Sequence, residues 1–257
     1  MCIRDSVYLY SPTNSDTFYL LDWDNDGMLM RKEYEIRQRA DGQSWENGIS
    51  NYWGNILLRR CLQTKSFRTA LDKAVNDEYK YMSAGRINSM VRQYRSIVEP
   101  YVQKMPDSMH EPLTSSQYDT VADQLHSEIE QNYQTYQTGF NKPMPFYIGK
   151  PTPANGKLRL NWDVAYDFND EDLRYAVTVS KDYAGDDVVF SQRDVVLPEA
   201  VMDMPGEGQY FIKVSVSNAS GYTQDAFDHY ITDGNKIYGT KCFYVKADGS
   251  IVEDANE

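Results

Sequence analysis

DWDNDGMLMRKE, running from Asp22 to Glu33, decides how the first half of this chain is read. Its acids fall at positions one, three, five and twelve with Gly27 at six and Leu29 at eight. That is the spacing of a twelve-residue calcium loop. The same letters also suit a strand end that holds a carboxylate towards a metal and a nucleotide. The residues just before the loop favour the second reading. A calcium loop of this type is gripped by a helix on each side, whereas TFYLL, Thr17 to Leu21, is aromatic-rich and follows a Ser, Pro and Asn cluster.

Working outward, VYLY, then SPTNSD, then TFYLLDW reads as strand, turn, strand, so the acidic loop hangs from the second arm of a hairpin. MCIRDS, residues 1–6, matches the in-frame translation of a transposase sequencing adapter, which would leave Cys2 without meaning and predicts that these residues pack against nothing. After a polar connection with Asp41-Gly42 and WENG, four helical patterns follow. Ile56, Leu57, Cys61 and Leu62 mark the first, and Phe67, Ala70, Leu71, Ala74, Glu78 and Met82 the second. Ile87, Met90, Val91, Tyr94, Ile97, Val98, Tyr101 and Val102 form the third stripe, which Pro100 should kink or shorten. The fourth runs through Tyr118, Val121, Ala122, Leu125, Ile129, Tyr133 and Tyr136, capped by Thr-Ser-Ser and stopped by Gly139 with Pro143 beyond. We read all four stripes as core.

From Met144 the period becomes two. KLRLNWD, LRYAVTVS, DVVFSQ, QYFIKVSVSN and KCFYV alternate apolar with polar between Asn-Gly, Gly-Asp, Gly-Glu-Gly and Asp-Gly turns, the spacing of a β-sandwich. NKPMPF makes a short, stiff linker. The expected fold class is α+β, with domains at 7–142 and 143–257.

Bulk properties exclude several classes. With 257 residues and 41% hydrophobic content there is material for a core in each domain. The net charge is -12; residues 143–257 hold 19 acids and 10 bases, leaving 19 and 16 before them. Neither part offers the basic footprint that nucleic acid requires, and no apolar run reaches membrane-spanning length. Cys61 and Cys242 have no zinc or disulfide spacing and read as core residues, while His110, His126 and His229 stand alone, without HExxH or GxSxG nearby.

Two resemblances sharpen this. YLYSPTNSDTFYLLDWDNDG and WENGISNYWGNILLRRCL resemble, in order and spacing, the Trp-Asp-x-Asp strand and the first-helix segment of the CotH-type spore-coat kinases, over about Val7 to Tyr101. The resemblance implies the helical C-terminal lobe of an atypical kinase-like fold with a β-hairpin at its start, transferring phosphate from ATP with Mg or Mn to serine-rich coat or secreted proteins. It implies an extracellular, cell-surface or spore-coat location in a bacterium. Asp24, standing where a protein kinase has the aspartate of its DFG motif, would bind metal. Asp26 is a second or water-mediated ligand or else a turn residue, and Trp23 packs under the site. Asp22 departs from the proline common there in the family. The nucleotide lobe, phosphate-binding lysine and catalytic base would precede Val7, so this fragment should be inactive alone.

Residues 144–246 resemble a fibronectin type III module through Trp162, Tyr175 and GQYFIKVSVSNASG around Tyr210. QDAFDHYITDGNKIYGTKCFYV is longer than one last strand and suggests an extra hairpin. Such a module is a spacer or binds a protein or carbohydrate, with a candidate sugar platform built from Tyr166, Tyr183 or Tyr222. The competing reading is a non-catalytic surface or adhesion protein whose calcium loop stiffens a helical domain beside a binding sandwich.

Overall fold

The computed structural model describes residues 7–22, 56–110, 114–233 and 235–253. Two compact units divide them, one of the described residues up to Gln137 and one of those from Thr138. The class is α+β: helices dominate the first unit and antiparallel sheets the second. Residues 1–6, including Cys2, lie outside the described residues.

The first unit opens with the expected hairpin. β1 (Val7–Tyr10) pairs antiparallel with β2 (Tyr19–Asp22), so that Val7 faces Asp22 and Tyr10 faces Tyr19. Pro12 and Ser15 close the connection, the Ser15 N–H donating to the Pro12 carbonyl at 3.3 Å. Four helices follow: α1 (Ile56–Leu62), α2 (Lys65–Tyr81), α3 (Ala84–Val102) and α4 (Ser115–Gly139). α1 ends on the fully buried Leu62, whose otherwise unpaired carbonyl accepts from Arg68 Nη1 of α2 at 2.7 Å. α4 starts at a reciprocal cap. The Thr114 N–H donates to Gln117 Oε1 at 2.9 Å and the Gln117 N–H to Thr114 Oγ1 at 3.4 Å, satisfying two N-terminal donors at once.

The helical stripes are only partly core. On α2 the half-buried line is Phe67, Leu71, Val75 and Tyr79, whereas Ala70, Ala74 and Glu78 of the expected stripe are exposed. Four-residue spacing through the larger side chains sets the phase, because small alanines bury too little to orient a helix. On α3 Ile87 is buried, but Tyr94, Ile97, Val98 and Tyr101 are exposed: among the described residues this face of the C-terminal half is left uncovered. Pro100 sits in the last turn, where it has no N–H to give to the carbonyl four residues back, and α3 stops two residues beyond it. On α4 Val121, Leu125, Ile129 and Tyr133 are half-buried and Tyr136 buried, as read.

α2 and α4 run antiparallel and are tied by their tyrosines. Tyr79 and Tyr133 stack at 3.9 Å, Tyr133 Oη donates to Asn76 Oδ1 at 2.6 Å, and Tyr136 Oη donates to Asp72 Oδ1 at 2.6 Å. Arg95 joins α3 to α4 by pairing with Asp119, and also pairs with Glu99 at 3.0 Å.

The second unit is built from two facing sheets. One orders β3 (Thr152–Ala154), β4 (Lys157–Asn161) and β7 (Glu199–Asp203) as β3-β4-β7. The other runs β13-β12-β8-β5-β6, with β9 (Thr223–Asp225) also on β8. Its members are β5 (Leu173–Ser180), β6 (Val188–Val195), β8 (Gly208–Asn218), β12 (Thr240–Val245) and β13 (Ile251–Glu253). Alternate residues of both sheets meet in one core, with Leu158 and Leu160 from the first and Val177, Val179, Ile212, Val214 and Phe243 from the second at 0% exposure. Burying each such side chain contributes about 1.5–3 kcal/mol, which is why period two dictates this arrangement.

Turn chemistry fixes the registers. Asn155 and Gly156, both at positive φ, form the two-residue turn between β3 and β4, an Asn-Gly pair whose twist suits a hairpin. The extra hairpin is present: β10 (His229–Thr232) pairs with β11 (Asn235–Tyr238), its turn opened by Asp233 at φ 49°. Gly239 then leads into β12 at φ 70°, and a Cβ there would meet Asp225 Cβ at 2.8 Å, so both conformation and space demand glycine.

Candidate functional site

The hairpin carries the sequence candidates. Cross-strand tyrosines, Tyr10 and Tyr19 at 6.5 Å, and four residues of pairing hold β2 straight to Asp22, its last residue. Trp23, Asp24, Asn25 and Asp26 come directly after it and lie outside the described residues, as does the WENG segment. What is described is the approach: the chain enters the acidic loop from an antiparallel strand, Tyr19–Asp22, and not from a helix. A calcium loop of the twelve-residue type is entered from a helix, so the segment before Asp22 lacks that support.

The remaining candidates are dispersed. His110 is exposed after a short 3-10 turn, His126 is half-buried on α4, and His229 lies 5.8 Å from the Tyr238 ring on β10. Among the described residues no group of three or more His, Cys, Asp or Glu could hold a metal ion. Cys242 is buried, as read, and Cys61 half-buried. The candidate tyrosines stand in different places. Tyr183 follows β5 and lies against Phe211 and Tyr230, while Tyr222 lies beside Asn218, at the far end of the same ladder, where β5 begins. Tyr166 packs against Phe168.

Two buried polar centres in the second unit were not legible in advance. Asn218 Nδ2 donates to Asp167 Oδ2 at 3.0 Å and to the Asn141 carbonyl at 2.9 Å, while Asp167 Oδ1 accepts from the N–H groups of Asn169 and Glu171. This pins the start of the unit to the β4–β5 and β8–β9 connections. Asp228 accepts from the Ile148 N–H at 2.7 Å and pairs with Lys241 at 3.4 Å, which also reaches Glu253 at 3.1 Å and donates to the Ile148 carbonyl. Burial pushes the Asp228 carboxyl above the usual carboxylate range, outweighing the Ile148 N–H and Lys241. Asp-His and Asn-Ala pairs carry no periodic signal, and their partners are up to 80 residues away. Each satisfied group is needed because an unpaired buried one costs about 1–3 kcal/mol.

Tyr175 and Tyr210 act as braces. Tyr175 is 2% exposed, packs on Trp162 at 5.5 Å and accepts from the Ala165 N–H at 2.8 Å. Tyr210, near the start of β8, donates back to the Gly206 carbonyl at 3.1 Å.

Comparison with known proteins bears on the first unit. A family model described as CotH kinase protein matches residues 3–136, just over half of the chain, taking in the hairpin, the acidic loop and the helices as far as Tyr136. The curated proteins and the solved structures give no match. Among the described residues no helix is long and apolar enough to cross a membrane.

Proposed function

The chain belongs to the CotH kinase protein family, and we propose on that premise that residues 7–142 serve an atypical protein kinase that moves the γ-phosphoryl group of ATP to hydroxyls of coat or secreted proteins. The single observation that carries this reading is the family match laid over a strand that ends at the acidic loop, the arrangement by which kinase folds hold a metal-binding aspartate. Asp24 is the metal ligand in this reading, with Asp26 direct or through water. Hard carboxylate oxygens suit Mg or Mn. When bound with ATP, such an ion neutralises charge on the phosphate oxygens.

In the transfer, the acceptor oxygen forms a bond to the γ-phosphorus as the bond to the β–γ bridging oxygen breaks and ADP leaves. The acceptor proton passes to a base, a role assigned to no residue of this chain. In this reading the role of Asp24 is to hold the metal while charge redistributes.

The second unit serves as a fibronectin type III-like spacer or binding module. Its strand order, the buried Trp162 against Tyr175 and the back-bond from Tyr210 to Gly206 support that reading, since a tyrosine so placed is a hallmark of such sandwiches. The family's link to the spore coat supports a cell-surface or coat location.

The test is a transfer assay with labelled ATP on the polypeptide encoded by the complete reading frame. Label should move to a serine-rich acceptor protein with Mg or Mn and stop on chelation. A stable, folded polypeptide that moves none under either metal would overturn the kinase reading.

A further inference from the structure

The second unit carries a basic hollow on a strongly acidic chain. It lies on the outer face of the six-stranded sheet, opposite the core, and encloses about 450 Å³. Strand alternation builds it. Tyr175, Val177 and Val179 of β5 and Ile212, Val214 and Val216 of β8 turn into the core, so Arg174, Ala176, Thr178, Lys213, Ser215 and Ser217 must turn out. The pairing then sets small against large: Ala176 faces Ser215 at the floor, while Thr178 faces Lys213 and Arg174 faces Ser217.

A bulge completes the rim. The β5–β6 register slips between Tyr175↔Val195 and Val177↔Gln192, so Arg193 and Asp194 together stand opposite Ala176. Asp194 takes the left-handed conformation, φ 56°, that such a bulge requires. Arg174, Arg193 and Lys213 thus ring a floor of small hydroxyl side chains. None of the three is within ion-pair distance of an acid among the described residues. The acids nearby are Asp194 in the lining and the half-buried Asp225, which acts on Lys213 only at longer range.

The lining selects its ligand. Tyr175 is the lining's aromatic residue, and its ring is turned into the core against Phe146 and Trp162, so a neutral sugar finds no stacking face. No apolar side chain larger than Ala176 faces the hollow, which leaves nothing for a hydrophobic peptide. Against the three cations stand Asp194 and Asp225, the cross-strand partner of Ser215, which leaves an excess of one positive charge, and Ser191, Thr178 and Ser215 add hydroxyl groups. A phosphate monoester, an acceptor-only group of nearly two negative charges, matches both. Arg174 and Arg193 supply guanidinium donors, the kind that pairs with phosphate oxygens; Arg174 holds Nη1 on the Leu173 carbonyl at 2.9 Å and has its other donors left. β6 is the terminal strand in the sheet order, so an extended peptide can lie along it with a side chain reaching over the rim.

We infer that this face binds phosphoserine on an extended peptide, so that the second unit holds phosphorylated protein produced by the first; the choice of phosphopeptide rests on the kinase reading. Holding product in this way would keep a multiply phosphorylated coat protein near the transfer site through raised local concentration.

Fluorescence anisotropy on the full chain tests it with four probes. These are a synthetic serine-rich peptide with one phosphoserine, the same peptide unphosphorylated, the same with glutamate in place of phosphoserine, and a sulfated oligosaccharide. The phosphopeptide should bind at least about tenfold more tightly than either other peptide, with affinity falling steeply with salt. Arg193→Ser and Arg174→Ser, both on the exposed sheet face, should each weaken it about tenfold or more. Equal binding of the three peptides overturns the inference, as does binding of the sulfated sugar without the phosphopeptide. Unaltered phosphopeptide binding by both arginine variants overturns the assigned face. No ATP enters the assay, so a chain that binds phosphopeptide but transfers no label keeps the site and loses only the kinase reading.

Discussion

Asp228 sits where ionisation is costly, and its titration is a direct probe of how the second unit is closed. Burial is the dominant cause raising its pKa, against the Ile148 N–H and Lys241. The folded chain therefore binds this proton more tightly than the unfolded chain. Stability from this group is present at pH below its ordinary value and is lost as pH rises through the raised one, leaving a constant deficit above. Asp228→Asn removes the titration while keeping an acceptor for the Ile148 N–H, and Lys241 retains Glu253. The melting temperature of the variant relative to the wild type should rise as the pH is raised above the ordinary carboxylate value and through the raised one. A difference that is flat or falls over that range would show that Asp228 is solvated. At this scale the sequence was uneven. Trp162, Tyr175 and Tyr210 could be picked out because large aromatics at alternating positions have only a core to enter. Asp228 and Asp167 could not, because whether an acid is buried depends on strands that meet it from far along the chain.

Among elements, the antiparallel α2–α4 pair is the best-defined contact of the first unit. The Tyr79–Tyr133 stack is followed towards the start of α2 by two tyrosine hydrogen bonds, Tyr133 to Asn76 and Tyr136 to Asp72. A double-mutant cycle of Tyr79→Leu and Tyr133→Leu, read from the unfolding of the helical unit, should give a coupling of about 0.5–1.5 kcal/mol, the usual value of an aromatic pair beyond its area. A coupling near zero would mean the two helices are not packed through these rings. The existence and order of all four helices were legible from their 3.6-residue period. The phase of α2 was not, since counting Ala70 and Ala74 with Phe67 and Leu71 turned the stripe by about one residue. The exposed half of α3 was not legible either: period shows which residues share a face, and it says nothing about whether anything covers that face. The hairpin β1–β2 was legible because Pro12, Asn14 and Ser15 interrupt two aromatic-rich arms. The slip that builds the basic rim was hidden, because a bulge leaves alternation on either side intact and only its register changes.

For the whole molecule, a unit matched by the CotH kinase family model is followed by a β-sandwich with one basic face, on a chain of net charge -12. The change of period near Met144 made the α+β class readable, and Asn-Gly and Asp-Gly turns predicted hairpins that the structure contains. The acidic loop resisted composition and spacing alone because two chemistries ask for the same carboxylates. The strand before it, Tyr19–Asp22, supports the proposed kinase reading over the calcium one, since a calcium loop is entered from a helix. The measurement that tests this most directly is labelled phosphoryl transfer by the complete-frame polypeptide and its Asp24→Asn variant, beside melting curves of both with and without calcium. Replacing a metal-binding carboxylate by an amide of the same shape should lower transfer by at least about a hundredfold, with melting unchanged and indifferent to calcium. Undiminished transfer by the variant, or a calcium-dependent rise in melting temperature that the variant loses, would contradict the account.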